Sequence, residues 1–202
     1  MSTSSDQSRI DQESMAALFA AARTARAFRD EPAPVEEVAR AYNNARWAPT
    51  AFNSQPLRLD LIATPEARDR LLPLVAEANR PAVAGAPLTL VASADMDVHQ
   101  SMRDLDAADW VLDFLADSPQ TRYAMAHDSA LLQLGYLIVT LRAEGLDVGV
   151  MTGADLPGID AQFHADRPWR SIAIVNVGHG TEDAYLPDRK STRLNSSHWL
   201  TS

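Results

Sequence analysis

The chain has 202 residues, is 46% hydrophobic, carries a net charge of −9 and contains no cysteine. That size suits one domain with a real core, and the missing cysteines exclude disulfides, thiolate metal sites and cysteine nucleophiles. An acidic chain without basic runs argues against non-specific nucleic-acid binding.

The start, MSTSSDQSRID, is polar and lacks an apolar signal core, so residues 1–10 are expected to be a disordered terminus. A helix is expected over residues 11–25, where Met15, Leu18, Phe19 and Ala22 recur at helical spacing. A second begins at Val35, with Glu36 and Glu37 suiting its positive end, and stops before Pro49. LRLDLI, residues 57–62, alternates apolar and polar and reads as a half-buried strand. Residues 65–78 read as a helix and 87–94, PLTLVASA, as a second strand. Residues 95–125 are expected to be a lid-like insert, with Trp110, Val111, Phe114 and Leu115 on a short amphipathic helix. From His127 to Glu144 the pattern is apolar on nearly every side, which predicts a central helix stopped by Gly145. A short strand from Asp147 and a buried strand over residues 170–178 follow. Few strands amid more helix, without strict alternation, indicate an α+β domain. No stretch approaches roughly 18 continuous apolar residues, so no membrane span is expected, and a cytoplasmic protein fits the cysteine count.

Three stretches carry candidate chemistry. ARTARAF places Arg23, Thr24 and Arg26 after the first helix. Two guanidiniums and a hydroxyl can clamp a phosphate; cations at a helix C-terminus are equally what the dipole favours. APTAFNSQP holds Pro49, Thr50, Ala51, Asn53, Ser54 and Gln55 between two prolines. Its hydroxyl and amide groups donate and accept, which suits a flat heteroaromatic ring, while Asn and Ser also make self-bonded turns. GVMTGAD brings Gly149 and Gly153 to a strand end, for a ligand's close approach or for a plain turn. His99, His127, His164, His179 and His198 fall at unrelated spacings, so no metal is expected. Neither a GxSxG nucleophile elbow nor a phosphate-binding P-loop is present.

In this order, RTARAF, ARWAPTAFNSQP, YLIVTLRAEGLDVGVMTGAD and AIVNVGHG resemble the nitroreductase family of FMN-dependent reductases across most of residues 11–187. ALFAAARTARAF, RWAPTAFNSQPLRL and RAEGLDVGVMTGAD resemble its malonic semialdehyde reductase branch, which is linked to pyrimidine degradation. The resemblance implies a three-layer α-β-α sandwich around a small, mainly antiparallel sheet, in an intertwined homodimer with FMN at the interface. It implies phosphate contacts from Arg23 and Thr24, and Arg26 near the flavin's pyrimidine edge. Pro49, Thr50, Ala51, Asn53 and Gln55 would reach the partner's flavin. Asn79 would meet the flavin, and Met151, Thr152 and Gly153 would stand over the ring near N5. The flavin carries the chemistry, so no catalytic side chain is expected; NADH or NADPH supplies hydride in a ping-pong cycle. The small-molecule substrate would be malonic semialdehyde, reduced to 3-hydroxypropionate. The alternatives are nitroaromatic or quinone reduction, or a non-catalytic flavin-binding role. An acid would need an anchor from Arg58, Arg103 or Arg122. The sequence departs from the family pattern at Ala22 and Val150, and a Lys usual after the Asn79 position is absent, with Arg80 nearby. The tail from residue 189, RKSTRLNSSHWLTS counted with Arg189 at its head, resembles a translated adapter sequence and is expected to be an artefact.

Overall fold

A computed structural model describes residues 9–186. The expectations for residues 1–8 and for the tail, Arg189 included, lie outside the described residues. Four strands form one antiparallel sheet: β1 (Leu57–Ile62), β2 (Leu88–Asp95), β3 (Asp147–Met151) and β4 (Trp169–Gly178), in the order β1-β2-β4-β3. β2 and β4 are central and buried along almost their whole length, so they read as mostly apolar runs that also bury Thr89, Ser93, Ser171 and Asn176. β1 is an edge strand, and its outward positions stay polar or part-exposed.

Both sheet faces are covered, giving the three layers expected. On one side the helices α2 (Val35–Ala45) and α6 (Pro119–Ala143) pack Val38, Ala41, Leu134, Leu137 and Leu141 against Leu88, Leu90 and Val175. On the other, α3 (Pro65–Leu71) and α7 (Leu156–Phe163) pack Leu71 and Ile159 against Val91 and Ile174. His164, buried at the end of α7, sits between the carboxylates of Asp60 (2.7 Å) and Asp160 (3.3 Å), tying α7 to β1.

Three helix boundaries differ from expectation. The first helix is only α1 (Gln12–Met15) followed by a wide turn over Ala16–Ala20, and it buries no residue; Met15 and Phe19 face outward. The helix expected over 65–78 ends at Leu71, because Pro73 forces a tighter turn and Val75 goes extended to bridge Ala154. Asn79 therefore lies in a short turn, Glu77–Asn79, before α4 (Arg80–Ala84). α6 begins two turns earlier than expected, with Pro119 in its first turn, where a missing N–H costs nothing.

The central helix is not enclosed on all sides. Its inner face carries Ala130, Leu134 and Leu137, while Leu131, Leu132 and Tyr136 are 44–53% exposed on the outer face. The segment before it is firmly attached: the short helix Val98–Leu105 and α5 (Asp109–Asp117) contribute Met102, Leu112 and Leu115 to the core. Arg122 reaches under them, donating to the Met96 and Leu115 carbonyls (both 2.9 Å) and pairing with Asp97 at 3.1 Å.

Candidate functional site

Arg23, Thr24 and Arg26 do not decorate a helix end, because the helical turns finish at Ala20. They lie on an extended segment laid along β3. Thr24 bridges Val148, the Ala25 N–H donates to the Val148 carbonyl at 3.1 Å, and the Arg26 N–H donates to the Ala184 carbonyl at 2.9 Å. Gly149 makes this approach possible: a Cβ there would stand 2.5 Å from the Ala25 carbonyl oxygen. The backbone is thus held on two sides while the Thr24 and Arg26 side chains remain exposed. Arg23 turns toward the Leu186 carbonyl, at 3.4 Å.

Asn79 faces the turn that follows β3. Its Nδ2 donates to the Gly153 carbonyl at 3.3 Å, and the Ala76 N–H donates to the same oxygen at 2.9 Å. A Cβ on Gly153 would fall 2.7 Å from Asn79 Nδ2, so a side chain there would push the Asn79 amide from its place. Thr24, Arg26, Asn79 and Met151 come together around one cavity of about 260 Å³, which Val150 also lines. Arg23, Thr152 and Gly153 lie beside it without lining it. The neighbouring Arg80 is occupied, donating to the Val75 carbonyl at 2.9 Å and the Pro73 carbonyl at 3.3 Å, so it braces the turn below Asn79.

The loop 49–55 lines a different cavity, of about 460 Å³, through Pro49, Thr50, Asn53 and Gln55, together with Arg46 and Leu105. Ala51 belongs to the loop without lining the cavity; its N–H donates to Ser129 Oγ at 3.3 Å. Phe52, Asn53 and Gln55 have φ of 52°, 54° and 46°. Each left-handed, non-glycine residue costs about 1–2 kcal/mol, and such clusters persist only where surroundings over-determine them. Here the Gln55 N–H donates to Thr50 Oγ1 at 3.2 Å and Gln55 Nε2 donates to Asn53 Oδ1 at 3.1 Å. Thr50 and Gln55, which a plain turn would not need, therefore serve this strained one. Ser54 Oγ is buried without a partner among the described residues. The Phe52 ring, half exposed, meets Trp110 of α5 edge to face, with centroids 6.1 Å apart.

Of the three arginines considered as acid anchors, two are committed elsewhere. Arg122 is 8% exposed and clamps the backbone. Arg58 pairs with Asp95 at 2.9 Å and donates to two carbonyls. Arg103 is exposed. The cation that does line the second cavity is Arg46, lying over the Trp47 ring at 5.4 Å. The sequence reading missed it, although Arg46 and Trp47 adjoin the loop motif directly.

The chain matches the Nitroreductase family over residues 19–179. It is 41% identical over 180 residues to a Streptomyces coelicolor protein named as an NADH dehydrogenase/NAD(P)H nitroreductase, covering 89% of each chain. A similarly named protein of Leptothrix cholodnii is 41% identical, with 88% of this chain and 91% of that one covered. Among solved structures, an enone reductase of gut-bacterial fatty acid saturation superposes with a TM-score of 0.78 at 17% identity, covering 96% and 100% of the two chains. A nitroreductase of Exiguobacterium sibiricum in complex with FMN gives 0.71 at 22% identity, covering 96% and 99%. These two show likeness of fold.

Proposed function

The chain belongs to the nitroreductase family, and from that premise we propose that it is a homodimeric, FMN-dependent oxidoreductase drawing on NADH or NADPH. The carrying observation is that Thr24, Arg26, Asn79 and Met151, from separate parts of the sequence, surround one cavity. The donor set fits FMN. Arg23 and Arg26 offer guanidiniums to a phosphate and to the electron-rich edge of the ring. Asn79 offers an amide, which the bare backbone at Gly153 leaves undisturbed. FMN, when bound, supplies the two-electron chemistry between the nicotinamide and the acceptor. The residues of this chain bind it, orient it and keep one face open.

The loop 49–55 lines a second cavity in the same chain. We assign it to the flavin of a partner subunit, so that each site takes Pro49, Thr50, Ala51, Asn53 and Gln55 from the other chain. The exposed apolar pair Leu132 and Tyr136, one turn apart on α6, together with exposed Met15 and Phe19 near the start of the chain, supports a dimer, since apolar side chains left on a helix face suit an interface.

For the acceptor, a flat nitroaromatic or quinone is the better supported reading. The half-exposed Phe52 ring of the loop meets the more exposed Trp110 ring, and aromatic edges and faces suit planar electron-poor molecules. Reduction of malonic semialdehyde remains the second reading. It requires Arg46 or Arg103 to hold the acid, because Arg58 and Arg122 are engaged. The test is direct. Purified protein should absorb near about 450 nm, as bound flavin does, and bleach with NADH or NADPH. A colourless protein that does not take up added FMN refutes the proposal. Faster turnover of malonic semialdehyde than of a quinone and a nitroaromatic would reverse the order of the two acceptor readings.

A further inference from the structure

Arg58 is the second residue of β1, directly after the strained loop. One guanidinium nitrogen donates to the Gln55 carbonyl at 2.9 Å and to the Leu57 carbonyl at 3.1 Å. The other donates to Asp95 Oδ2 at 2.9 Å. Asp95 closes β2, and its remaining oxygen accepts from the Asp97 N–H at 3.0 Å. Asp97 pairs with Arg122, which holds the segment leading into α5. A continuous run of polar contacts therefore joins the loop to the root of the insert that carries Trp110.

The loop needs such a hold. Three of its residues sit in left-handed conformations that L side chains avoid. Its other hydrogen bonds are neutral ones, accepted by Thr50 Oγ1, Asn53 Oδ1 and Ser129 Oγ and by the Thr50 and Ala51 carbonyls. Among the described residues, the bond from Arg58 to Gln55 is the one charge-assisted bond the loop accepts, and such bonds are about twice as strong as neutral ones. Arg58 is also well suited by shape, because three acceptors in different directions need a planar fork that Lys lacks.

We propose that Arg58 is a positioning residue which, with Asp95, holds the loop 49–55 in its strained, binding-ready conformation. This rests on the reading that the loop meets the cofactor. As a salt bridge alone the pair has little net worth, since its side chains keep only 25% and 13% exposure and the cost of desolvating both charges offsets most of their attraction. Its effect falls instead on loop geometry.

The experiment compares wild type with Arg58→Gln, Arg58→Lys, Asp95→Asn and the Arg58→Gln, Asp95→Asn double variant, by hydrogen exchange at the Asn53, Ser54 and Gln55 amides, by FMN titration and by thermal melting. In Arg58→Gln the three amides should lose protection, and the FMN dissociation constant should rise roughly tenfold to a hundredfold, from the loss of charge-assisted bonds. The melting temperature should fall by only a few degrees. Arg58→Lys keeps the charge beside Asp95 but loses the fork, so its loop should also loosen; it carries the test if Arg58→Gln does not fold. Asp95→Asn should add little in the Arg58→Gln background, since the two act as one unit. Unchanged loop exchange in Arg58→Gln and Arg58→Lys overturns the proposal, as does unchanged FMN affinity with a loosened loop. If wild type itself takes up no FMN, the cofactor assignment fails, and the exchange arm alone still decides whether Arg58 holds the loop.

Discussion

Gly149→Ala isolates the contact on which the candidate phosphate segment depends. Gly149 has no positive φ, so alanine there brings no dihedral strain, only a methyl group. That methyl would stand 2.5 Å from the Ala25 carbonyl oxygen and 3.6 Å from the Ala25 carbonyl carbon. Both are backbone atoms, which cannot swing aside as a side-chain tip can. Either β3 shifts within the sheet or the segment 23–26 lifts away from it. Overpacking of this kind costs about 1–3 kcal/mol. Losing the bond between the Ala25 N–H and the Val148 carbonyl adds about 0.5–1.5 kcal/mol. The sum, about 1.5–4.5 kcal/mol, lowers the melting temperature of a chain this long by roughly 3–18 °C. Circular dichroism melting measures that directly, and FMN titration should show weakened binding in the same variant, because Thr24 and Arg26 ride on the displaced segment. A variant that melts like wild type and binds FMN with unchanged affinity would refute the argument that this glycine admits the segment to the sheet.

Asn53→Ala removes one proposed cofactor contact and the acceptor of the Gln55 side chain. FMN affinity should fall about fivefold to tenfold, near the worth of one hydrogen bond, with little change in melting; unfolding with normal flavin retention in the surviving protein would show that Asn53 serves only the turn. Leu132→Glu places a charge on the exposed face of α6. Light scattering should report a shift from dimer to monomer with loss of bound FMN, and an unaltered dimer would remove this face from the interface. Burial, helped by the Asp147 carboxylate, pushes the Tyr185 phenol up to about 12. The folded state therefore favours neutral Tyr185: its contribution is complete below the ordinary value near 10 and is lost as pH rises through about 12. Urea unfolding across that window should show a decline that Tyr185→Phe flattens.

The strands were the most legible part of the sequence. LRLDLI is β1 to the residue, and β2 and β4 fall within one residue of expectation at each end. Their signal is local, an alternation at the edge and mostly apolar runs at the centre. The helices were less legible, because their boundaries depend on neighbours. Met15, Leu18 and Phe19 have helical spacing, yet the chain buries Leu18 only in part and leaves Met15 and Phe19 exposed, so the turn after α1 faces outward. Pro73 was visible, yet what it produces, an extended Val75 bridged to Ala154, depends on a residue almost eighty positions away. Long-range pairing also decided the charged residues. Nothing local distinguishes Arg58 and Arg122, which are committed to carbonyls and carboxylates, from Arg46, which lines a cavity. His164 likewise reads as one histidine among five until the fold brings Asp60 to its ring.

The loop 49–55 shows why a polar cluster resists a single reading. Its hydrogen bonds are those of a self-supporting turn: Gln55 bonds to Thr50 and Asn53, and Ala51 to Ser129. A turn made only to reverse the chain would have no need of left-handed Phe52, Asn53 and Gln55, since a glycine or two would reach the same path without the strain. The sequence has no glycine there. Side chains have been kept at positions where each costs about 1 kcal/mol or more, and Phe52 at such a position ends against the Trp110 ring. Strain of this kind is tolerated where the side chains themselves are needed. Replacing Phe52 with glycine separates the two demands. Relief of strain should hold or raise the melting temperature, while turnover of a quinone falls as the ring contact is lost. A Phe52→Gly protein with lower stability and undiminished quinone turnover would show that the loop is shaped by folding alone.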